Sequence, residues 1–249
     1  MMAIMEWFAG ADLHVWPALA ITVTFAVLAR LIKGVGSSGA VVGAAVSYLL
    51  LRSVGLGAFA VLVSVFALTW TSTRFGYIRK LRRGTAEKGD GRSGFQVLAN
   101  LGVAALCAGL FAITHRQVFL LAFVAALAEA AADTVSSEYG QAASQDAVLI
   151  TTRERVPAGT DGGISMAGTV AGIVAAVLVS LVAVLAGLLP WRWLWISAIA
   201  AVVGMLADSL LGASLERKQV LGNDTVNLLG TLISALLAAA LFMLLNRAF

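Results

Sequence analysis

Eight apolar runs, at residues 15–32, 37–53, 55–72, 95–114, 117–137, 164–189, 191–213 and 225–246, constrain this chain more than any motif in it. A helix needs about 20 residues to cross the hydrocarbon of a bilayer, and in lipid every backbone N–H and C=O must be satisfied within its own element, so runs of this length read as membrane helices. Sixty per cent of the 249 residues are hydrophobic and 12% charged, with a mean hydropathy of +0.94, more apolar surface than a soluble domain of this size needs to bury. The prediction is an all-α polytopic membrane protein with about seven or eight transmembrane helices. Three prolines and the lack of a long polar stretch leave no room for a separate soluble domain, so 1–249 is read as a single transmembrane domain. Residues 1–14, with Trp7 and Phe8, suit a short interfacial segment. The run at 37–53 is short and glycine-rich, which leaves a re-entrant helix open beside a full span.

Charge sets the orientation. With eight spans and an outside amino terminus, thirteen Lys and Arg residues fall on one side and only Arg52, Arg116, Arg192 and Arg247 on the other. Basic residues favour the cytoplasmic side, so loops 73–94, 138–163 and 214–224 are expected there, in a multi-pass protein of a prokaryotic plasma membrane. Trp191, Trp193 and Trp195 around Pro190 are expected to form an aromatic belt at the outer interface. Cys107 is the only cysteine, which excludes a disulfide within the chain and a cysteine-based metal site. His14 and His115 flank segments on the far side, so no histidine metal centre is expected. The first basic residue is Arg30, too late for the positive region of a secretory signal peptide. The long polar loops all share one side, whereas a transporter more often places polar groups near the midplane and on both faces.

The residues that need a reason are acidic. Glu129 and Asp133 sit in the closing turns of an apolar run, and a carboxylate at the centre of a membrane helix costs roughly 2.5–3.5 kcal/mol on insertion scales. Asp161 follows in a glycine-rich turn. Three quartets share one spacing: Arg92, Gln96, Ala99, Asn100; Asp161, Ser165, Gly168, Thr169; and Asn223, Asn227, Gly230, Thr231. At i, i+4, i+7 and i+8 each would occupy one helical face. The run before Asn223 echoes the one before Asp161, aligning Asp208 with Asp133 and Gly212 with Ser137, which suggests repeated helical hairpins. Gly168 and Gly172 read as a close helix contact.

Acids gathered with Asn, Gln, Ser and Thr are the ligand set of a hard cation such as Mg²⁺. The candidate metal ligands are Asp133, Asp208, Glu129, Glu138, Asp161 and Asp224, with Glu138 pointing elsewhere if its helix continues. Gly159, Gly162 and Gly163 before a helix start suit phosphate, because free backbone N–H groups and the helix dipole favour anions there. The basic loop Arg74–Arg92 supplies cations for phosphate or for anionic lipid. No G-x-x-x-x-G-K-[ST] sequence occurs. A metal, phosphate-binding donors and a membrane-surface site together suggest transfer of a phosphoryl or nucleotidyl group to a lipid.

The same stretches resemble an integral-membrane family that includes the plant phytyl-phosphate kinases and animal transmembrane protein nineteen. The resemblance rests on Gly94–Gly102 (GFQVLANLG), Ala132–Gly140 (ADTVSSEYG), Leu149–Gly168 (LITTRERVPAGTDGGISMAG), Asp208–Gly212 (DSLLG) and Asn223–Asn227 (NDTVN), with Val156–Ser165 its most specific part. Val135 and Ser136 depart from the Trp and Ala usual after Asp-Thr, and Asn100–Leu101–Gly102 departs from the usual Asn-Gly. The resemblance implies a kinase that converts an isoprenyl monophosphate to its diphosphate with a nucleoside triphosphate, CTP being the expected donor, and Mg²⁺. It implies Asp133, Asp208, Arg92 and Asp161 as catalytic groups. Lys88, Gln96, Asn100, Gly159, Thr160, Gly162, Gly163, Ser165, Asn223 and Asn227 are the candidates for binding nucleotide and phosphate, with Lys33 as a further cation. The expected partners are the bilayer, the lipid phosphate and the nucleotide, with no nucleic acid and the oligomeric state open. A CTP-dependent cytidylyltransferase and a carrier of an isoprenoid phosphate are the rival readings.

Overall fold

The computed structural model describes residues 14–87 and 89–247; the expected interfacial segment lies, apart from His14, outside them. Each apolar run is a helix: α1 Val15–Leu31, α2 Ser37–Ser53, α3 Leu56–Arg74, then a short α4 Tyr77–Arg83, α5 Gly94–Thr114, α6 Gln117–Ala143, α7 Met166–Leu185, α8 Trp191–Leu211 and α9 Asn223–Arg247. Three short strands, β1 Asp146–Leu149, β2 Arg155–Pro157 and β3 Gly163–Ile164, lie between α6 and α7. The protein is a multi-pass integral membrane protein. Six of the described helices are long and apolar enough to cross a bilayer, and α1 is a shorter apolar helix of 17 residues. At 17 residues α2 is about 26 Å long, slightly less than the hydrocarbon thickness.

The local chemistry sets the boundaries. Ser93 opens α5 with a capping box: its hydroxyl accepts from the Gln96 N–H at 3.2 Å, and its own N–H donates to Gln96 Oε1 at 2.7 Å. Ser165 caps α7 by accepting from the Gly168 N–H at 3.1 Å, so the helix starts later than the apolar run. That run also overshoots its end, because the chain turns at Gly187 with a φ of +76° before Pro190 opens α8. Helix α6 extends past the expected end at residue 137 to Ala143. At 27 residues it is about 40 Å long, so its last turns project beyond a hydrocarbon layer about 30 Å thick.

Helix α6 is the axis of the bundle. Every residue from Leu120 to Ala132 is buried, and α3, α5, α7, α8 and α9 all pack on it. Small side chains let the neighbours approach, since in lipid association depends on close packing rather than on expelling water. A Cβ at Gly172 of α7 would lie 2.8 Å from Ala132 O and 2.9 Å from Ser136 Cβ. Gly172→Val is therefore expected to destabilise the fold in detergent by the roughly 1–3 kcal/mol typical of overpacking, read as a lower thermal midpoint when the folded fraction on size exclusion is followed with heating.

The eight long helices alternate in direction, so their connections gather at two ends. At one end Gly36 N–H donates to Arg92 O at 2.9 Å, Arg83 Nη1 donates to Gln141 O at 2.8 Å, and Gly162 packs against Ala213. At the other, Gly57 packs against Leu188 and Trp193 meets Phe242 edge to face at 4.8 Å. The aromatic belt is only partly as expected: Trp191 and Trp195 are exposed, but Trp193, two residues from each, turns inward and is 8% exposed. The three strands pair antiparallel in the order β2-β1-β3, with Ala147 opposite Val156 and Val148 opposite Ile164, folding the 138–163 segment back over the polar end.

Candidate functional site

A polar cavity of about 210 Å³ opens where α6, α8 and the start of α9 meet the turn between β2 and α7. It collects residues from far apart in the chain: Asp133 from α6, Asp208 from α8, Asn223 from α9, and Gly159, Thr160, Asp161, Gly162, Gly163 and Ser165 from the turn. On α6 the wall continues through Ser136, Ser137 and Gly140, which with Asp133 stand at i, i+3, i+4 and i+7 on one face. The apolar run ends at residue 137, before the helix does, so the sequence pattern shows only part of this stripe and not Gln141 one residue beyond it. Helix α8 does not end cleanly at Leu211 but continues as a π-helical turn over Gly212–Glu216. That turn carries Glu216 to the cavity wall and lays Gly212 and Ala213 against Gly162. A Cβ at Gly162, where φ is +73°, would lie 2.6 Å from Ala213 Cα, so only glycine fits between the turn and the helix end.

The two central carboxyl groups meet. Asp133 and Asp208 lie within direct electrostatic reach of each other, and Asp208 Oδ2 is buried without a partner. Glu129, one turn below Asp133 and 1% exposed, also has a partnerless oxygen, Oε1. Both orphaned oxygens face Gly230 of α9: a Cβ there would lie 2.6 Å from Glu129 Oε1 and 3.3 Å from Asp208 Oδ2. Glycine at 230, and at 204 beside the Glu129 side chain, makes the room these acids occupy. Glu216 is within electrostatic reach of Asp161 and Asp133, so negative charge accumulates on the cavity floor. Buried like charges this close must share a proton or hold a cation.

Among the described residues, no three Asp, Glu, His or Cys side chains close into a ready-made metal cage. Mg²⁺ does not require one: it is commonly held by one or two carboxylates together with water and substrate phosphates. Asp133 and Asp208, with an unpartnered oxygen between two helices, fit that pattern.

The other expected residues lie elsewhere. Glu138 is buried and ion-paired with Lys80, whose Nζ also donates to Thr73 O at 2.8 Å and Ser72 O at 3.2 Å, so its carboxylate is already engaged away from the cavity. Asp224 and Asn227 are half-buried on α9 and do not line it. Lys88 lies outside the described residues. Gln96 and Asn100 face a second cavity: Gln96 Nε2 donates to Glu87 Oε1 at 3.2 Å and Asn100 Nδ2 to Gln96 O at 2.8 Å. Arg92 lines that second cavity and reaches back, its Nη2 donating to Thr134 Oγ1 at 3.4 Å, within electrostatic range of Asp133.

The proposed helical quartets also need correction. Arg92 precedes the Ser93 cap and Asp161 lies in a turn before Ser165, so neither shares a helical face with the residues four positions on. The glycine-rich turn is less open to anions than its composition suggests. Its Thr160 N–H donates to Pro157 O at 3.2 Å and its Gly163 N–H to Thr160 O at 2.8 Å. Lys80 was missed because, within RKLRR, nothing separates the one lysine that turns inward from basic residues that mark topology.

The family described as Integral membrane protein DUF92 matches residues 20–235. The chain is 30% identical over 217 residues to Protein VTE6, chloroplastic, of Arabidopsis thaliana, covering 84% of this chain and 65% of that protein. It is 34% identical over 224 residues to an uncharacterized membrane protein of Methanocaldococcus jannaschii, covering 87% of this chain and 90% of the relative. It is 33% identical over 191 residues to an uncharacterized membrane protein of Synechocystis, covering 75% and 74%. The chain thus spans just under two thirds of the plant relative's length. No solved structure matches it.

Proposed function

This chain belongs to the integral membrane protein family DUF92, and from that premise we propose that it is a membrane phosphotransferase converting an isoprenyl monophosphate to its diphosphate, with CTP as donor and Mg²⁺, at a site facing the cytoplasm. The observation that carries the reading is the meeting of Asp133 and Asp208, from two separate helices, in a polar cavity at one end of an apolar bundle, with Asp208 Oδ2 unpartnered. The family resemblance supplies the substrate class. The thirteen basic residues expected on one side support the orientation.

The chemistry asks little of the protein beyond placement. A phosphate oxygen of the acceptor forms a bond to the γ-phosphorus of the donor as the bond from that phosphorus to the β–γ bridging oxygen breaks, and the nucleoside diphosphate leaves. The acceptor is already anionic near neutral pH, so no general base is required. Catalysis reduces to holding two polyanions in line and offsetting their charge. Asp133 and Asp208 would hold Mg²⁺, with Asp161, exposed at the rim, available to assist. When bound, the ion neutralises charge on the donor phosphates. The turn from Gly159 to Ser165 forms the wall along which those phosphates would lie, and Arg92 supplies a charge-assisted donor to the acceptor phosphate beside Asp133.

The test is product analysis. Purified protein with Mg²⁺, labelled CTP and a panel of isoprenyl monophosphates is expected to release CDP and form the isoprenyl diphosphate, and to lose turnover when EDTA removes the metal. Release of pyrophosphate with a CDP-linked lipid would instead identify a cytidylyltransferase, the reading in which the acceptor attacks the α-phosphorus. Failure to form any product across the panel would favour a carrier.

A further inference from the structure

The second cavity differs in its chemistry from the first. Its shaft lies between α1, α2, α3 and α5 and is apolar, lined by Phe25, Ala29, Leu62, Val65, Phe66 and Leu101. Phe25 closes its lower part by meeting Phe59 and Phe66 edge to face, each at 5.3 Å. Phe25 stands eight residues before Lys33, so the shaft runs about 12 Å into the bundle from the polar end. Gly43 opens its wall: a Cβ there would meet nothing within 4 Å.

The mouth is cationic. Lys33, Arg74 and Arg92 line it, against one acid, Glu87, which is already engaged by the Gln96 amide. Arg74 is held in place by donating from Nη2 to Ile32 O at 2.9 Å and lying over the Trp70 ring at 5.5 Å. Arg92 is fixed through its backbone, its N–H donating to Gly34 O at 3.3 Å and its O accepting from Gly36 N–H at 2.9 Å. Lys33 has no ion-pair or hydrogen-bond partner for its side chain among the described residues. An apolar shaft under three cations suits an amphiphile with one apolar chain and a phosphate head. Arg92 joins the two cavities, since its guanidinium reaches Thr134, next in sequence to Asp133.

We infer that this groove is the acceptor site: the chain of a prenyl phosphate lies in the shaft between α1, α2, α3 and α5, and its phosphate is held by Lys33, Arg74 and Arg92 within reach of the Asp133–Asp208 pair. This rests on the phosphotransferase reading for its ligand but predicts binding that needs neither nucleotide nor turnover. Charge-assisted contacts to phosphate come from the mouth, and chain-length preference comes from the shaft.

The experiment uses the full-length protein in detergent without nucleotide, with a diazirine-bearing prenyl monophosphate and unlabelled competitors of increasing chain length. Photo-adducts are expected on α1, α2, α3 and α5. Lys33→Gln is expected to weaken monophosphate binding about tenfold and to leave binding of the parent alcohol unchanged. Gly43→Phe is expected to reduce binding of long chains at least tenfold more than of the shortest. Adducts confined to other helices, equal effects of Gly43→Phe on all lengths, or displacement of the probe by two-chain phosphatidate as readily as by prenyl monophosphate would each overturn the assignment. Binding in the groove without product in the CTP assay leaves this site standing and removes the kinase reading. Turnover with adducts elsewhere does the reverse.

Discussion

The Asp133→Asn and Asp208→Asn variants are expected to lose turnover by roughly a thousandfold each, the scale of removing a preorganised charge that acts on the reacting phosphates, while melting at or above the wild-type temperature in detergent. Both halves follow from one arrangement. The two carboxyl groups lie within electrostatic reach of each other and of Glu129, so the native site holds like charges close together away from water. Asn keeps the shape and removes one of those charges, which relieves repulsion in the fold and takes away a ligand from the site. Function bought at the cost of stability is common where a charge cluster waits for a cation. Glu129→Gln separates the roles further: Glu129 lies one turn below Asp133 and does not line the cavity, so stability should rise with a smaller loss of rate. The decisive measurement is turnover and melting on the same preparations. Wild-type rates in both aspartate variants would remove the metal proposal outright.

Lys80→Met is expected to destabilise the fold by about 3–5 kcal/mol, because it leaves the Glu138 carboxylate buried without its cation. Lys80 is fully buried, an unusual position for a lysine in a helix of seven residues flanked by Arg79, Arg82 and Arg83. Its ammonium joins the end of α3, through Thr73 O, to Glu138 on α6. Arg83 adds a second tie, donating to Gln141 O and to Ser144 O at 2.6 Å, where the last carbonyls of α6 would otherwise be unmet. Together they pin α4 onto the projecting turns of α6 and so fix where the following loop delivers Arg92. Replacing both members of the pair, Lys80→Met with Glu138→Leu, should restore much of the stability, since a matched apolar pair carries no desolvation cost. Melting of the two single variants and the double variant forms a cycle that isolates the pair. A double variant no more stable than Lys80→Met would show that the contacts to the α3 carbonyls, and not the ion pair, hold α4.

What the sequence determined by itself is the solvent and the layout. Runs of apolar residues must become helices in lipid, because no other local structure satisfies the backbone there, and all eight did so, with α6 running longer and α7 ending sooner than their apolar runs. The unusual residues were also legible: Asp133, Asp161, Asp208 and the glycine-rich turn stood out as polar groups in an apolar chain, and the structure brings them to one cavity. Tertiary structure alone decided which charges serve the site and which serve the fold. Glu138 and Asp133 are five residues apart on one helix, yet one faces Lys80 and the other Asp208, a difference set by the angle between their positions and by what packs on each face. Gln96 and Asn100 share their polarity with the site residues but are spent on a helix cap and a groove wall. The groove itself left no mark in any single stretch, because its walls are ordinary apolar and glycine positions on four helices whose meeting only the folded bundle creates. Composition fixes what a segment must bury, and only packing fixes what it is buried against.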